Sequence, residues 1–231
     1  MIYVTGDTHG DETRLSKQEL KMLKPGDTLI ICGDFGFVWD NSAREKKTLA
    51  RLAKRGYTVC FVDGTHENFE LLSSYPLVKW HGGKAHKLAD NIFHLMRGQV
   101  FDIGGKKVFA LGGGENPDLE LKEDEEITSR PEVPTKQEML EGVASLEKQA
   151  YRVDYIVTHE PPARIRDFLN MNADKQASGV TALGAYLDEL NQQTEYTRWF
   201  FGSMHTDKFI SEKTVSLFSA VVDAQTGRKV N

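Results

Sequence analysis

Short apolar runs alternate with longer stretches of helical spacing through the first quarter of the chain. Residues 2–5, 28–32 and 58–62 read as strands and residues 12–23 and 42–55 as helices, which gives a βαβαβ start. From Leu29 to Cys32 the run is apolar at successive positions rather than at every second one, as expected of a strand covered on both faces. The rhythm then changes. Residues 78–113 break into short strands punctuated by turn residues, among them Gly104 and Gly105, and indicate antiparallel hairpins at a sheet edge. Residues 137–150 and 180–192 return to helical spacing, the second with Ala182, Leu183, Tyr186, Leu187 and Leu190 on one face. A strand at 154–157 is stopped by Pro161 and Pro162, and short strands at 197–201, 209–210, 215–218 and 221–223 close the chain. The least core-like stretch, 115–135, is rich in Glu, Asp and Pro and reads as a surface loop or cap. Alternation alone specifies an α/β fold.

Composition narrows the picture. A chain of 231 residues with 39% hydrophobic content is long enough to bury one large core, so a single domain over 1–231 is expected. The net charge of −5 argues against a broad basic surface for duplex nucleic acid. An anionic substrate would need local positive charge, which bound divalent cations can supply. Only Cys32 and Cys60 are present, both in predicted core strands, so small apolar packing in a reducing compartment is expected rather than a disulfide framework. No basic and apolar leader opens the chain and no apolar run reaches eighteen residues, which predicts a cytoplasmic protein without a membrane partner.

Five short motifs carry the candidate chemistry, each placed after a predicted strand. They are Asp7-Thr-His9, Gly33-Asp34, Gly64-Thr-His-Glu67, the lone His159 before Glu-Pro-Pro162, and Gly202-Ser-Met-His205. Asp7 and His9 are two residues apart and can grip one ion from the same side. Mixed carboxylate and imidazole ligation suits Mn, and likewise Fe, Zn or Ni, better than Mg or Ca. In kind and order the motifs resemble those of the calcineurin-like metallophosphoesterases, DxH, GD, GNHE, a lone His and GHxH, and the likeness covers nearly the whole chain. Two positions depart from that pattern: Thr65 stands where the family has Asn, and Ser203 where it has His.

The resemblance implies a four-layer sandwich of two mixed β-sheets flanked by helices, and metal-dependent hydrolysis of a phosphate ester. Asp7, His9, Asp34 and His205 would hold a first ion, with Asp34 shared by a second that also uses His159. A hydroxide between two ions roughly 3.5–4 Å apart is the implied nucleophile, and His66 the implied general acid for the leaving group. Many relatives carry GDxxDR, but here Gly33-Asp34 leads into Phe35-Gly-Phe-Val38, so a phosphodiester or nucleotide is expected before a phosphoprotein, with Asp40 as a stand-in for the missing carboxylate beside His66. Thr65 and Ser203 offer only hydroxyls, direct or through water, so the second ion is expected to bind weakly or not at all. The alternative is an attenuated or inactive member of the fold, acting as a metal- or nucleotide-binding or protein-interaction module. Gly112 to Gly114 would let the backbone approach the site, making Glu115 and Asn116 candidate substrate contacts. Trp39 and Phe35 could stack on a base, although packing is the favoured role for both. His81, His86 and His94 are read as structural.

Overall fold

A computed structural model of the chain describes residues 1–115, 130–172 and 180–230. The N-terminal strands form where the apolar runs predict them: β1 (Ile2–Thr5), β2 (Thr28–Cys32) and β3 (Thr58–Val62), aligned in parallel. Between β2 and β3 lies helix α1 (Ala43–Leu52), capped by the Ser42 hydroxyl, which accepts the Glu45 N–H. Residues 12–23 do not make one helix. They form two 3₁₀ turns, Arg14–Ser16 and Gln18–Met22, separated by an extended Lys17. The side chains of Arg14 and Lys17 donate to the carbonyls of Phe218 and Ser219, so this segment follows the far end of the chain rather than its own helical spacing.

The antiparallel region is divided between two sheets. After a short helix α2 (Phe69–Ser73), strands β4 (Leu77–Trp80), β5 (Gly83–Ala89) and β6 (Ile92–Leu95) form a meander, and β6 joins β3 in parallel. Strands β7 (Gln99–Ile103) and β8 (Lys106–Leu111) make a hairpin that belongs to the other sheet. Helix α3 (Lys136–Glu147) begins in a capping box between Thr135 and Glu138. It is followed by β9 (Tyr155–Thr158), α4 (Ala163–Asn172), α5 (Ala182–Gln193), β10 (Arg198–Phe201), β11 (Lys208–Phe209), β12 (Thr214–Ser216) and β13 (Val221–Asp223).

Strand order is β13-β1-β2-β3-β6-β5-β4 in one sheet and β11-β12-β10-β9-β8-β7 in the other, and both are mixed. Successive residues of a strand serve different cores. Val4, Ile30, Cys32 and Val62 meet Val108, Val157, Phe200 and Val215 between the sheets. Tyr3, Leu29, Ile31 and Phe61 face the other way, against Leu15, Leu20, Leu52 and Leu72. On the second sheet Phe109, Ile156, Trp199 and Phe201 pack beneath Leu146, Leu169, Leu183 and Leu187. The result is four layers, helix, sheet, sheet and helix, with both cysteines buried and unpaired in the middle. The parallel strands β1, β2 and β3, and β9 and β10 of the facing sheet, release their following loops at one rim, where the five motifs lie. No helix among the described residues is long and apolar enough to cross a membrane.

Candidate metal centre

Three of the side chains that meet at this rim sit on left-handed backbone: His9 at φ 48°, Asp34 at φ 41° and His205 at φ 49°. Such φ values are unfavourable for residues with a Cβ, and where a structure retains them they cluster at functional positions. Here neighbouring loops hold them. Thr8 and His9 both donate their backbone N–H to the Asp34 carbonyl, at 3.1 and 2.7 Å. The Asp34 carboxylate accepts the N–H groups of Thr65 and His66 at 2.7 and 2.9 Å. Gly202 and Ser203 donate to the His159 carbonyl, both at 3.1 Å. Glycine is required where side chains crowd the chain: a Cβ on Gly33, itself at φ 107°, would sit 2.1 Å from His159 Nδ1, and one on Gly202 would sit 1.9 Å from Asp7 Oδ1.

Asp7, His9, Asp34 and His205 each present one donor atom, and the four atoms lie within 4.8 Å of one another. His9 Nε2 and His205 Nε2 are 3.0 Å apart with their rings at 87°. Two imidazole nitrogens at about 2.1 Å from one ion and at right angles would be about 3 Å apart, so the spacing fits joint ligation. Asp7 is fully buried, and among the described residues neither of its oxygens meets a hydrogen-bond donor in good geometry. Its neighbours are imidazoles, His205 Nε2 at 3.1 Å and His159 Nδ1 at 3.5 Å. A buried carboxylate facing convergent imidazoles fits a divalent cation.

Electrostatics agrees with the geometry. Burial alone would raise the Asp7 pKa, yet the charges of His159 and His205 outweigh it and hold the group at about 2. Burial would likewise lower His159, but Asp7 and Asp34 push it up to about 10. His205 is raised by the adjacent Asp7 carboxylate, whereas burial lowers His9. The Asp7 and Asp34 carboxylates thus favour a proton on the His159 imidazole, and an ion that ligates neutral imidazole would displace it.

His159 is buried beside this group, with Nε2 3.8 Å from Asp34 Oδ1. His66 stands at the open face, its side chain 65% exposed and its Nδ1 3.1 Å from Asp34 Oδ2. The carboxylate found next to His66 is thus Asp34. Asp40 instead caps the Ser42 N–H, which corrects its expected place beside the imidazole. Thr65 turns its hydroxyl to His66 Nδ1, 3.1 Å away, and its methyl toward Gly114. Phe35 packs as expected, stacked on Phe61, but Trp39 does not: its side chain is 54% exposed on the wall of a hollow of about 430 Å³ shared with His9, His66, Phe37 and Arg44. Glu115 is directed at the start of α5, where it accepts the Leu183 N–H at 3.3 Å. Asn116 lies outside the described residues, as does most of the 115–135 stretch. His81 pairs with the Asp102 carbonyl, and His86 and His94 stack on each other, with His94 Nε2 3.0 Å from Asp63 Oδ1.

Two acidic residues contribute that motif reading did not assign. Glu67 is buried and accepts the N–H groups of Phe35 and Gly36, so it braces the turn that carries Asp34. Burial raises its pKa well above the usual carboxylate range. Glu160, next to His159, has its carboxylate at the rim rather than in solvent. Glu67 lies inside a motif and Glu160 abuts one, so adjacency was the available signal.

A comparison with curated proteins found no match. A family model described as calcineurin-like phosphoesterase matches residues 1–215. That span includes each loop that brings a side chain to the rim, and the chain belongs to the calcineurin-like phosphoesterase family, whose members hydrolyse phosphate esters with divalent metals.

Proposed function

We propose that the chain hydrolyses a phosphodiester, in a nucleotide or a related aryl-bearing ester, with Mn as the working metal. The observation that carries this reading is the convergence of Asp7, His9, Asp34 and His205, with His9 opening from that group into a hollow walled by His66 and the exposed Trp39. Bound divalent cations supply an activated water nucleophile and neutralise the phosphoryl charge. Asp7, His9, Asp34 and His205 would hold a first ion, and Asp34 and His159 are the motif residues that would serve a second.

His66 is the general acid. Its ring is exposed to the hollow, and the Asp34 carboxylate 3.1 Å from Nδ1 orients it so that Nε2 is left to protonate the leaving oxygen. Glu12, Asp40 and Glu45 line the same hollow against one arginine, Arg44, which pairs with Glu12, and this net acidic rim favours a diester with one negative charge over a monoester with nearly two. The absence of GDxxDR and the indole of Trp39 support the same choice.

The test compares native protein with His66→Gln on bis(p-nitrophenyl) phosphate and on the corresponding phenyl ester after Mn reconstitution. The variant should lose about 10²–10⁴ in kcat on the phenyl ester. The loss should be smaller on the nitrophenyl ester, whose leaving group needs little protonation. Equal rates for the two proteins on both esters would remove His66 from the reaction, and no diester cleavage by the Mn-loaded native protein would overturn the substrate class.

A further inference from the structure

The motif donors leave the second cation position short: Thr65 commits its hydroxyl to His66, and Ser203 offers only a neutral oxygen. A carboxylate lies between those two positions. Glu160 follows His159 directly, and its loop is fixed twice: the Trp199 indole N–H donates to Thr158 Oγ1 at 2.8 Å, and that hydroxyl donates to the Glu160 carbonyl at 2.6 Å. The N–H groups of Gly202 and Ser203 bind the His159 carbonyl, which sets Ser203 beside Glu160. The Ser203 hydroxyl oxygen is sealed from solvent and lies against the Glu160 carboxylate.

On its other side the carboxylate reaches toward Thr65. A Cβ built on Gly114 would be 3.0 Å from Glu160 Oε1 and 2.8 Å from the Thr65 methyl. Glu160 is therefore flanked by the two residues that stand where the family supplies Asn and His. Its side chain is only 13% exposed, and the Arg166 guanidinium is 3.9 Å from Oε2, beyond hydrogen-bond reach. A carboxylate this buried needs positive partners, and those on the protein are the long contact to Arg166 and the adjacent His159 imidazole.

Resting on the reading of this rim as a metal centre, we propose that Glu160 is a ligand of the second cation. It joins Asp34 and His159 in place of the donors missing at 65 and 203, with the Ser203 hydroxyl as a neutral fourth. One imidazole among several oxygens makes this position harder than the first, so it selects Mn or Mg over Zn.

The experiment strips the protein of metal, titrates Mn²⁺ back, and reads bound Mn per chain and the spin-coupled pair by electron paramagnetic resonance. Native protein should bind two Mn per chain and show the coupled signal. Glu160→Gln should bind one with its first-site affinity unchanged, its second affinity falling at least about 100-fold, more than typical losses for residues that only support a ligand. Adding Ser203→His to Glu160→Gln should return the second ion and the coupled signal, which separates ligand loss from misfolding. Two tightly bound ions in Glu160→Gln, or one ion in both native protein and the variant, would overturn the assignment and leave the first site intact. No binding by native protein would overturn the metal reading itself.

Discussion

Asp63 closes β3 immediately before the Gly64-Thr-His-Glu67 loop and is 1% exposed. Its carboxylate takes a two-pronged contact from Arg97, Nε at 2.9 Å and Nη2 at 2.5 Å, and a third from His94 Nε2 at 3.0 Å. Arg97 reaches on to Glu138 at the start of α3 and to the Pro131 carbonyl, so the ion pair ties the strand under the active rim to the helix layer of the other sheet. Asp63→Asn keeps the shape and removes the charge, leaving a buried guanidinium short of its main anion. Breaking one partner of a buried pair in this way costs about 3–5 kcal/mol, which at about 2–4 °C per kcal/mol for a chain of this size lowers Tm by about 6–20 °C. Urea unfolding followed by tryptophan fluorescence should show a lower midpoint with an unchanged slope. The pH dependence has a defined sign. Burial would raise the Asp63 pKa, but Arg97 and His94 hold it well below the usual carboxylate range. Its contribution is therefore fully present above the unfolded value of about 3.9 and is lost as pH falls toward the folded value. The gap between native protein and Asp63→Asn should thus be widest near neutral pH and narrow in acid. Replacing both partners, Asp63→Leu with Arg97→Met, should recover much of the loss. A loss under about 1 kcal/mol, or one that does not change between pH 7 and pH 3, would refute the claim that this pair stabilises the strand through charge.

Two further outcomes follow from the rim itself. Gly202→Ala places a methyl 1.9 Å from Asp7 Oδ1 and 2.4 Å from the immovable Cys32 carbonyl, so first-ion affinity should fall at least about tenfold in a Mn titration, and native affinity would show that the crowding is relieved elsewhere. Trp39→Ala should raise KM for aryl or nucleoside diesters by about 5- to 100-fold, the range of one base stacking contact, while kcat and KM for a methyl diester stay within about twofold. Equal effects on both ester types would mean that the indole shapes the loop and does not stack.

Much of this frame is legible along the chain because burial on both faces leaves a continuous apolar run. β1, β2 and β3 lie at the expected residues for that reason, since each alternate side chain has its own core. Residues 12–23 mislead because helical spacing records only which positions are buried; the Arg14 and Lys17 contacts to residues 218 and 219 are more than 200 residues away in sequence. Helices α2 and α4 pass unread, the first for its five residues and the second for starting directly after the proline pair that ends the β9 loop. In the site, the motif residues announce themselves by order and by their place after strands. Asp40 and Trp39 do not, because Glu45 binds the N–H groups of residues 39, 40 and 41 and shapes the loop that sends Asp40 to Ser42 and the indole outward. Glu160 is invisible for a related reason: its place is defined by Gly114, Thr65 and Ser203, three residues from three other loops.

The same interlocking bears on how this rim accommodates Thr65 and Ser203. Left-handed backbone at His9, Asp34 and His205 costs about 1–2 kcal/mol at each position, and it persists because main-chain hydrogen bonds, not the ligand side chains alone, fix those loops. The Asp34 carbonyl and carboxylate bind the loops after β1 and β3, the His159 carbonyl binds the loop after β10, and His159 Nδ1 is 3.2 Å from the carbonyl of Cys32, the last residue of β2. Each of these contacts joins one protein group to another, so the loops are held by bonds that metal ligation need not supply. A loop held by its neighbours' backbones can exchange one side chain without losing its position. A substitution at 65 or 203 then alters the donors offered to an ion but not where they are offered, and on the proposal above a nearby carboxylate such as Glu160 joins the set without rebuilding the fold.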